Sequence, residues 1–314
     1  MAAAPVDAAA SRTDHPHDRR AAGTALALGA SASGQTGAAV GALAFPDLGV
    51  PGVVAVRQVV AAVALSTVVR WSPRSLDRRT WTLVLALAAV MGLMNLTIYE
   101  AVDRIGLGLA VTVEFLGPLA VAVGTSRRVL DVLAAVAAAV GVLVLVAPGP
   151  SSDVAGILLA LTAAAAWATY ILLSRALGAR LPGLQGAAAA ATVLAAAWAL
   201  PVLVVVLLAR PPWQALALAA VCGVMSSALP YPADMAALRR LPATTYSTLL
   251  SVNPVWAFLA GVVLLGERVA AHEVVGGALV VVANAVITAL PAGRRAGRSA
   301  VPEASGGDDG RAAA

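Results

Sequence analysis

Residues 80–125 read TWTLVLALAAVMGLMNLTIYEAVDRIGLGLAVTVEFLGPLAVAVGT. This stretch contains two apolar runs, 80–99 and 106–125, which are separated by a short charged connection that begins at Glu100. Each run has 20 residues, and a helix of roughly 20 apolar residues crosses the hydrocarbon core of a bilayer. The stretch therefore predicts two consecutive transmembrane helices.

The same pattern extends over most of the chain, in which 60% of the residues are apolar and only 12% are charged. Soluble proteins have about 45–50% apolar and about 25% charged residues, so the composition excludes an ordinary soluble protein. Eight further apolar runs bring the predicted number of transmembrane helices to ten. The predicted spans are 24–44, 50–69, 80–99, 106–125, 129–147, 154–174, 184–208, 213–233, 244–265 and 272–290. We expect an all-α polytopic membrane protein, since helices satisfy their own backbone hydrogen bonds in lipid.

Two segments of the chain are similar to each other at a constant offset of 136 residues, 101–118 and 237–254. At this offset Pro118 matches Pro254 and Thr112 matches Thr248. The similarity predicts two five-helix repeats, and because five crossings end on the other side of the membrane, the repeats have inverted orientations, as in many transporters. The predicted divisions are a disordered leader (1–22), a first repeat (23–149), a second repeat (150–290) and a disordered tail (291–314).

The distribution of arginine predicts the orientation in the membrane. All 21 basic residues are arginines; 17 lie on one side of the predicted bundle, 3 lie on the other and Arg57 lies within a span. Positive charge accumulates on cytoplasmic connections, so both termini are predicted to be cytoplasmic. This distribution also accounts for the net charge of +5, and no basic stripe interleaved with aromatic residues indicates a nucleic-acid partner.

Several chemistries lack their residues in this sequence. The single cysteine, Cys222, excludes an intramolecular disulfide and a cysteine-based metal cluster, and His15, His17 and His272 are not spaced as zinc ligands. No Gly-rich phosphate-binding run ends in Lys-Ser/Thr, which argues against ATP as the energy source. No helix carries a nucleophile with its base or paired metal ligands, so we expect neither an enzyme nor a bound metal or cofactor.

Two charged residues lie within predicted spans, where ionisable groups are costly and usually face a cavity or a partner. Glu114 lies near the middle of the fourth span, where a carboxyl group could gain and lose a proton during transport. The alternative is a structural hydrogen bond to a neighbouring helix. Arg57 lies about a third of the way into the second span and could bind a substrate carboxylate or pair with Glu114. Its alternative is to extend toward the membrane interface.

Uncharged residues complete the predicted site. Pro118 and Pro254 each remove a backbone donor inside a span and free carbonyl groups one turn earlier, which points to a cavity or a hinge, although a simple packing kink is the alternative. Pro230 and Pro232 interrupt the eighth span in the same way. Asn95 and Tyr99 lie four residues apart on one face of the third span, but tyrosine also occurs in the aromatic belt at the membrane interface. Asn253, next to Pro254, is a further candidate.

Two segments of the chain resemble EamA-type transporters of the drug/metabolite transporter superfamily. They are GLMNLTIYEAVDRIGLGLAVTVEFLGPLAVAV (92–123) and MAALRRLPATTYSTLLSVNPVWAFLAGVVLLGE (235–267), and the resemblance extends over residues 24–290. The similarity is greatest to the branch that exports threonine and homoserine. It implies ten helices in two inverted five-helix repeats and the export of small metabolites across the bacterial inner membrane. The sequence departs from that pattern at Asn253, where a glutamate is expected, and at Glu100, where an apolar residue is expected.

The residues and the resemblance together predict a secondary transporter that exports small polar metabolites, with amino acids such as threonine or homoserine as substrates and protons as the coupling ion. One alternative is an exporter of drugs or of other metabolites in the same superfamily. A different class, a membrane-embedded scaffold or channel without coupled transport, also remains open. The sequence does not decide whether the protein forms homodimers.

Overall fold

The computed structural model describes residues 16–124, 129–146 and 153–289. In these three ranges the chain is helical with short connections, and no strand occurs in them. The helices are α1 (Pro16–Ala42), α2 (Phe45–Val68), α3 (Arg78–Ile105), α4 (Leu107–Glu114), α5 (Leu116–Gly124), α6 (Val129–Val146), α7 (Val154–Gly178), α8 (Gln185–Leu194), α9 (Leu200–Leu208), α10 (Trp213–Gly223), α11 (Pro230–Leu238), α12 (Ala243–Leu250), α13 (Asn253–Ala260) and α14 (Ala271–Ala289).

Within the described ranges, eight helical segments are long and apolar enough to cross a membrane. They are Phe45–Val68, Arg78–Ile105, Leu107–Gly124, Val154–Gly178, Gln185–Leu208, Trp213–Leu238, Thr245–Leu265 and Ala271–Thr288. The all-α, multi-pass membrane architecture is therefore confirmed. The two other predicted spans are also helical: α1 is more polar, and α6 contains the shorter apolar helix Val132–Val146. The total of ten crossings stays a prediction.

The predicted N-terminal leader, 1–22, overlaps the first helix. Residues 16–22 belong to α1, whereas the sequence analysis assigned them to a disordered segment. The run Arg19-Arg20-Ala21-Ala22 has high helix propensity, and it leads directly into the apolar part of the helix. Residues 1–15 and the predicted tail, 291–314, lie outside the described residues.

Several spans are interrupted where proline removes a backbone donor. The fourth predicted span divides into α4 and α5 ahead of Pro118, and the ninth divides into α12 and α13 ahead of Pro254. Leu107 and Ala243, which begin α4 and α12, are 136 residues apart, and so are Glu114 and Leu250, which end these helices. The helix bounds therefore follow the offset of the sequence repeat.

Three π-helical turns widen the later spans. They comprise Ala195–Ala199, Val224–Ala228 and Gly261–Leu265. The first two come shortly before Pro201 and Pro230, and the Leu229 amide donates to the Val224 carbonyl, five residues back, at 2.9 Å. A proline that cannot donate to the carbonyl four residues earlier favours such a local change of register.

The helices on either side of residue 149 pack against each other along their lengths. The most extensive contacts join α3 to α7 and α6 to α14, and α1 lies against α10, α11 and α13. Gly37 of α1 allows a close approach to α10 and the π-helical turn after it, because a Cβ atom at this position would lie 2.5 Å from Ser226 Oγ. The predicted repeats are thus packed together over a continuous interface; their boundaries stay predictions.

The bundle has two chemically different ends. One end, called the arginine-rich end, contains the last turn of α2 and the first turn of α3. At this end Asp77 caps α3, and hydrogen bonds from Thr80 lower the pKa of Asp77. The opposite end contains the α3–α4 and α13–α14 connections. There Asp153 caps α7, and a hydrogen bond from the Gly156 amide lowers the pKa of Asp153.

Large apolar side chains cover much of the outer surface. Val205, Leu208 and Val263 have exposed fractions of 68%, 77% and 75%. A surface of this kind is unfavourable in water and suits contact with lipid chains.

Candidate functional site

A cavity of about 290 Å³ lies among α1, α2, α3, α4, α7 and α13. It is called the polar cavity here. All five of the predicted substrate or coupling residues line it: Arg57, Asn95, Tyr99, Glu114 and Asn253. The chain therefore brings together side chains from α2, α3, α4 and α13 that are distant in the sequence.

Asn95 fixes the direction of the Arg57 side chain. The Asn95 amide group donates to the Met91 carbonyl at 2.8 Å, one turn earlier in α3, and its Oδ1 accepts a hydrogen bond from Arg57 Nη1. Asn95 is buried. Arg57 consequently points into the bundle, and the alternative in which it extends to the membrane interface is wrong.

The Tyr99 ring packs against the same guanidinium group. Arg57 Cζ lies 5.3 Å from the centroid of the Tyr99 ring, which is within the range of a cation–π interaction. The Tyr99 hydroxyl lies 3.2 Å from Cys222 Sγ, and Phe45 packs edge-on against the ring. Tyr99 is only 4% exposed, so its alternative assignment to an interfacial aromatic belt is also wrong.

The Arg57 guanidinium group has an unused hydrogen-bond donor. Its Nε atom is buried and has no hydrogen-bond partner among the described residues. A buried donor without an acceptor is rare in proteins and costs free energy. An acceptor placed in the cavity, such as a carboxylate, would satisfy it.

Glu114 contributes a carboxyl group to the same cavity. It is the last residue of α4 and lines the polar cavity, where it interacts electrostatically with Arg57. Among the described residues, Glu114 has neither an ion-pair partner nor the structural hydrogen bond that was its alternative. The neighbouring Phe115 packs edge-on against Trp167 at 4.9 Å between ring centroids, which fixes the start of α5 against α7.

Helices α1 and α13 form another side of the polar cavity. Asn253 Oδ1 accepts a hydrogen bond from Ser31 Oγ, and Ser226 Oγ donates to the Gly34 carbonyl at 2.9 Å. These bonds tie α1 to elements near the C-terminal end of the chain. Glu100, the other departure from the family pattern, does not line the polar cavity.

The four predicted prolines are near the site rather than in its wall. Pro118, Pro230 and Pro254 do not line the polar cavity, and Pro254 is fully buried. Pro118 and Pro254 instead set the helix breaks beside Glu114 and Asn253. Pro232 lines a different cavity.

That second cavity has a volume of about 740 Å³ and opens near the arginine-rich end. It is called the arginine-lined cavity here, because Arg19, Arg239 and Arg240 contribute to its wall. Tyr231 also lines it and interacts electrostatically with Tyr170 and Arg57, which line the polar cavity. Tyr231 therefore lies close to both cavities.

Among the lining residues that were not predicted, four have polar or aromatic side chains: Gln35, Trp167, Tyr170 and Ser226. The polar run Ser31-Ala-Ser-Gly-Gln35 within the first predicted span was a usable signal for Gln35, because amide groups in lipid also need partners. Trp167 and Tyr170 gave no comparable signal, since aromatic residues occur throughout membrane helices. In the described ranges, no group of three or more His, Cys, Asp or Glu residues could hold a metal ion.

A bundle of membrane-length helices around a cavity with opposite charges has the architecture of a membrane transport protein. Residues 154–289 match the model of the EamA-like transporter family. The threonine/homoserine exporter RhtA of Salmonella typhimurium (strain LT2) is 35% identical over 263 residues, which cover 81% of this chain and 87% of that exporter. The chain belongs to the EamA-like transporter family.

Two further comparisons give similar coverage. The threonine/homoserine exporter RhtA of Escherichia coli (strain K12) is 36% identical over 249 residues, covering 77% of this chain and 83% of that exporter. A solved structure described only as "Crystal structure of protein" aligns with 88% of this chain and 96% of that chain, with a TM-score of 0.49 and 20% identity.

Proposed function

We propose that this protein is a secondary transporter that exports small amino acids such as threonine or homoserine across the bacterial inner membrane. The observation that carries the proposal is that Arg57 and Glu114 line one cavity without pairing with each other. An amino acid carries a carboxylate and an ammonium group, so it complements both charges at once. The relatives, which are named threonine/homoserine exporters, support this substrate class.

Arg57 binds the substrate carboxylate in this proposal. A guanidinium group can donate two parallel hydrogen bonds to a carboxylate, and Arg57 has a buried Nε donor that no described residue uses. Asn95 and Tyr99 hold the guanidinium group in place before the substrate arrives. This preorganisation reduces the entropy lost on binding.

Glu114 couples transport to protons. As a carboxylate it attracts the substrate ammonium group, whereas a proton bound to Glu114 removes that attraction. Substrate and proton therefore compete for one side chain, so that a proton entering along its gradient displaces the amino acid toward the outside. The competition requires no covalent step and no cofactor.

The size of the polar cavity supports a small substrate. Pockets for drug-sized ligands have volumes of about 300–1,000 Å³, and the polar cavity has about 290 Å³. A volume at the lower limit of this range accommodates a small metabolite such as an amino acid.

Alternating access is the proposed route of transport. Residues 23–149 and 150–290 act as two inverted five-helix repeats, and both termini lie in the cytoplasm. The arginine-lined cavity then faces the cytoplasm, and Tyr231 stands between this cavity and the polar cavity. Breaks ahead of Pro118 and Pro254 supply hinges where helices can bend.

Efflux from proteoliposomes tests the proposal. Radiolabelled threonine or homoserine is placed at equal concentration inside and outside the vesicles, and an inward proton gradient is applied with and without an uncoupler. Net efflux that the uncoupler abolishes is the expected result. A channel or a scaffold would give no net efflux, and that outcome would reject coupled transport. A panel of other amino acids and drugs would then identify a different substrate class.

A further inference from the structure

Glu267 connects two parts of the chain that are distant in sequence. It lies in the connection between α13 and α14, and its Oε1 accepts a hydrogen bond from the Leu107 amide of α4 at 2.7 Å. The Gly108 amide donates to the same carboxyl group. Both donors are in the first turn of α4, where backbone amides lack helical partners.

Glycines make the space for this side chain. Gly106 joins α3 to α4 with φ of 81°, a conformation that side chains disfavour, and a Cβ atom there would lie 3.0 Å from Glu267 Cδ. A Cβ atom on Gly261 would collide with Glu267 Oε2. The Glu267 amide also donates to the Gly261 carbonyl at 3.1 Å, so its backbone is fixed as well.

The bound helix leads directly to the polar cavity. α4 is only eight residues long; it begins at Leu107 and ends at Glu114, and both residues line the cavity. Phe258 of α13 packs closely over Gly108 in the same first turn. The contacts that hold the first turn of α4 therefore also set the position of Glu114, about 10 Å further along the helix.

We propose that Glu267 is a positioning residue whose hydrogen bonds latch the α13–α14 connection to α4. This latch keeps the polar cavity closed toward the end of the bundle that is opposite the arginine-rich end, and it orients Glu114. The latch must release when the cavity opens at that end. The effect of the latch on transport rests on the proposed function, whereas the presence of the latch does not depend on that function.

A cysteine accessibility experiment tests the latch. In a Cys222→Ser background, Val111→Cys places a thiol on α4 in the wall of the polar cavity, where Val111 is only 4% exposed. The protein is held in lipid nanodiscs, and the rate of reaction with a charged maleimide is measured. Glu267→Ala removes the acceptor, and we expect labelling to become about tenfold faster, since tenfold corresponds to about 1.4 kcal/mol, the size of the contribution of one or two backbone hydrogen bonds.

Two further variants separate the latch from a general loss of structure. Glu267→Gln keeps an acceptor oxygen and should label at close to the rate of the parent protein. Glu273→Ala removes a similar bond, from the Ala270 amide to Glu273 Oε2 at 2.9 Å, which lies within the α14 cap and does not reach α4. It should leave labelling unchanged.

Unchanged labelling in Glu267→Ala would overturn the proposal, and so would equal acceleration by Glu273→Ala or by Glu267→Gln. Proton-driven efflux measured on the same variants should fall in Glu267→Ala and recover in Glu267→Gln. If the parent protein shows no efflux, the proposed function fails while the labelling rates still decide the latch.

Discussion

Arg57 and Glu114 face one cavity from α2 and α4, yet they do not form an ion pair with each other in the described structure. Opposite charges in a membrane normally pair, because an isolated charge there costs several kcal/mol. Here the guanidinium is held instead by Asn95 and Tyr99, which are uncharged. The arrangement keeps both charges available to a third group.

The first prediction concerns Glu114. Glu114→Gln should insert and fold normally but lose uncoupler-sensitive efflux, because an amide has nearly the same shape and cannot exchange a proton. Glu100→Gln is the matched control, since Glu100 lies outside the polar cavity. Proteoliposome efflux driven by a pH gradient measures both. A Glu114→Gln variant with parental efflux and pH dependence would remove Glu114 from the coupling role.

The second prediction concerns Arg57. Arg57→Ala should raise the apparent KM for amino acids about 10- to 100-fold, because hydrogen bonds to charged groups contribute about 1.5–3 kcal/mol. Inhibition by an amino-acid amide, which lacks the carboxylate, should change much less. An equal change for both compounds would show that Arg57 does not recognise the carboxylate.

The third prediction separates the ring of Tyr99 from its hydroxyl group. Tyr99→Phe keeps the ring against Arg57 and loses only the hydroxyl contacts with Cys222 and Ser226, so the apparent KM should change little. Tyr99→Leu loses the cation–π interaction and should raise the apparent KM about 3- to 30-fold. Similar values for the two variants would mean that the ring does not hold the guanidinium.

The fourth prediction concerns helix packing. A Cβ atom at Gly117 of α5 would collide with the Ala164 carbonyl of α7, so Gly117→Ala should destabilise the protein by about 1–3 kcal/mol. Gly29→Ala is the control, because a Cβ atom there meets no described atom within 4 Å. Thermal unfolding in detergent should show a lower midpoint for the first variant only. Equal unfolding midpoints for the two variants would indicate that the close contact between α5 and α7 does not contribute to stability.

The fifth prediction is a pH dependence of the Glu267 latch. Burial raises the pKa of Glu267 above its ordinary value of 4.5, and nearby Glu273 adds to the effect, although hydrogen bonds from Leu107 and Gly108 oppose it. Arg268 and His272 are the other titratable residues adjacent to it in the chain. The latched state therefore binds the proton more tightly than a released, hydrated carboxyl group does.

The direction of the pH effect follows from this difference in proton affinity between the latched and released states. Lowering the pH through the window between the raised pKa and 4.5 should strengthen the latch and slow the labelling of Val111→Cys. The rate is expressed relative to Glu267→Gln at each pH, which corrects for ionisation of the thiol. A ratio that rises as the pH falls, or does not change, would contradict the assignment.

Much of the fold follows from the sequence because lipid imposes simple rules. Apolar runs of sufficient length predicted the helices, and the prolines at 118, 230 and 254 marked three of the places where spans are interrupted. No proline follows closely after the π-helical turn at Gly261–Leu265, so no comparable residue marked its position. The helical start at residue 16 was missed because a polar run gives no apolar period.

The site was predicted less completely. The charged and amide groups that were predicted within the spans line one cavity, since lipid is an unfavourable environment for them. The choice between the two orientations of Arg57 needed the Asn95 contact, which sequence cannot supply. Glu267 lies in a connection, where a glutamate is ordinary, and only the fold reveals that it reaches Leu107.

The π-helical turn at Ala195–Ala199 has a consequence for insertions and deletions. A π-helical turn holds one residue more than the α-helix around it. Deleting one alanine there converts the turn to regular α-helix and leaves α8 and α9 with their present faces toward their neighbours. The same deletion inside α3 rotates every later side chain of that helix by about 100° and turns Asn95 and Tyr99 away from Arg57.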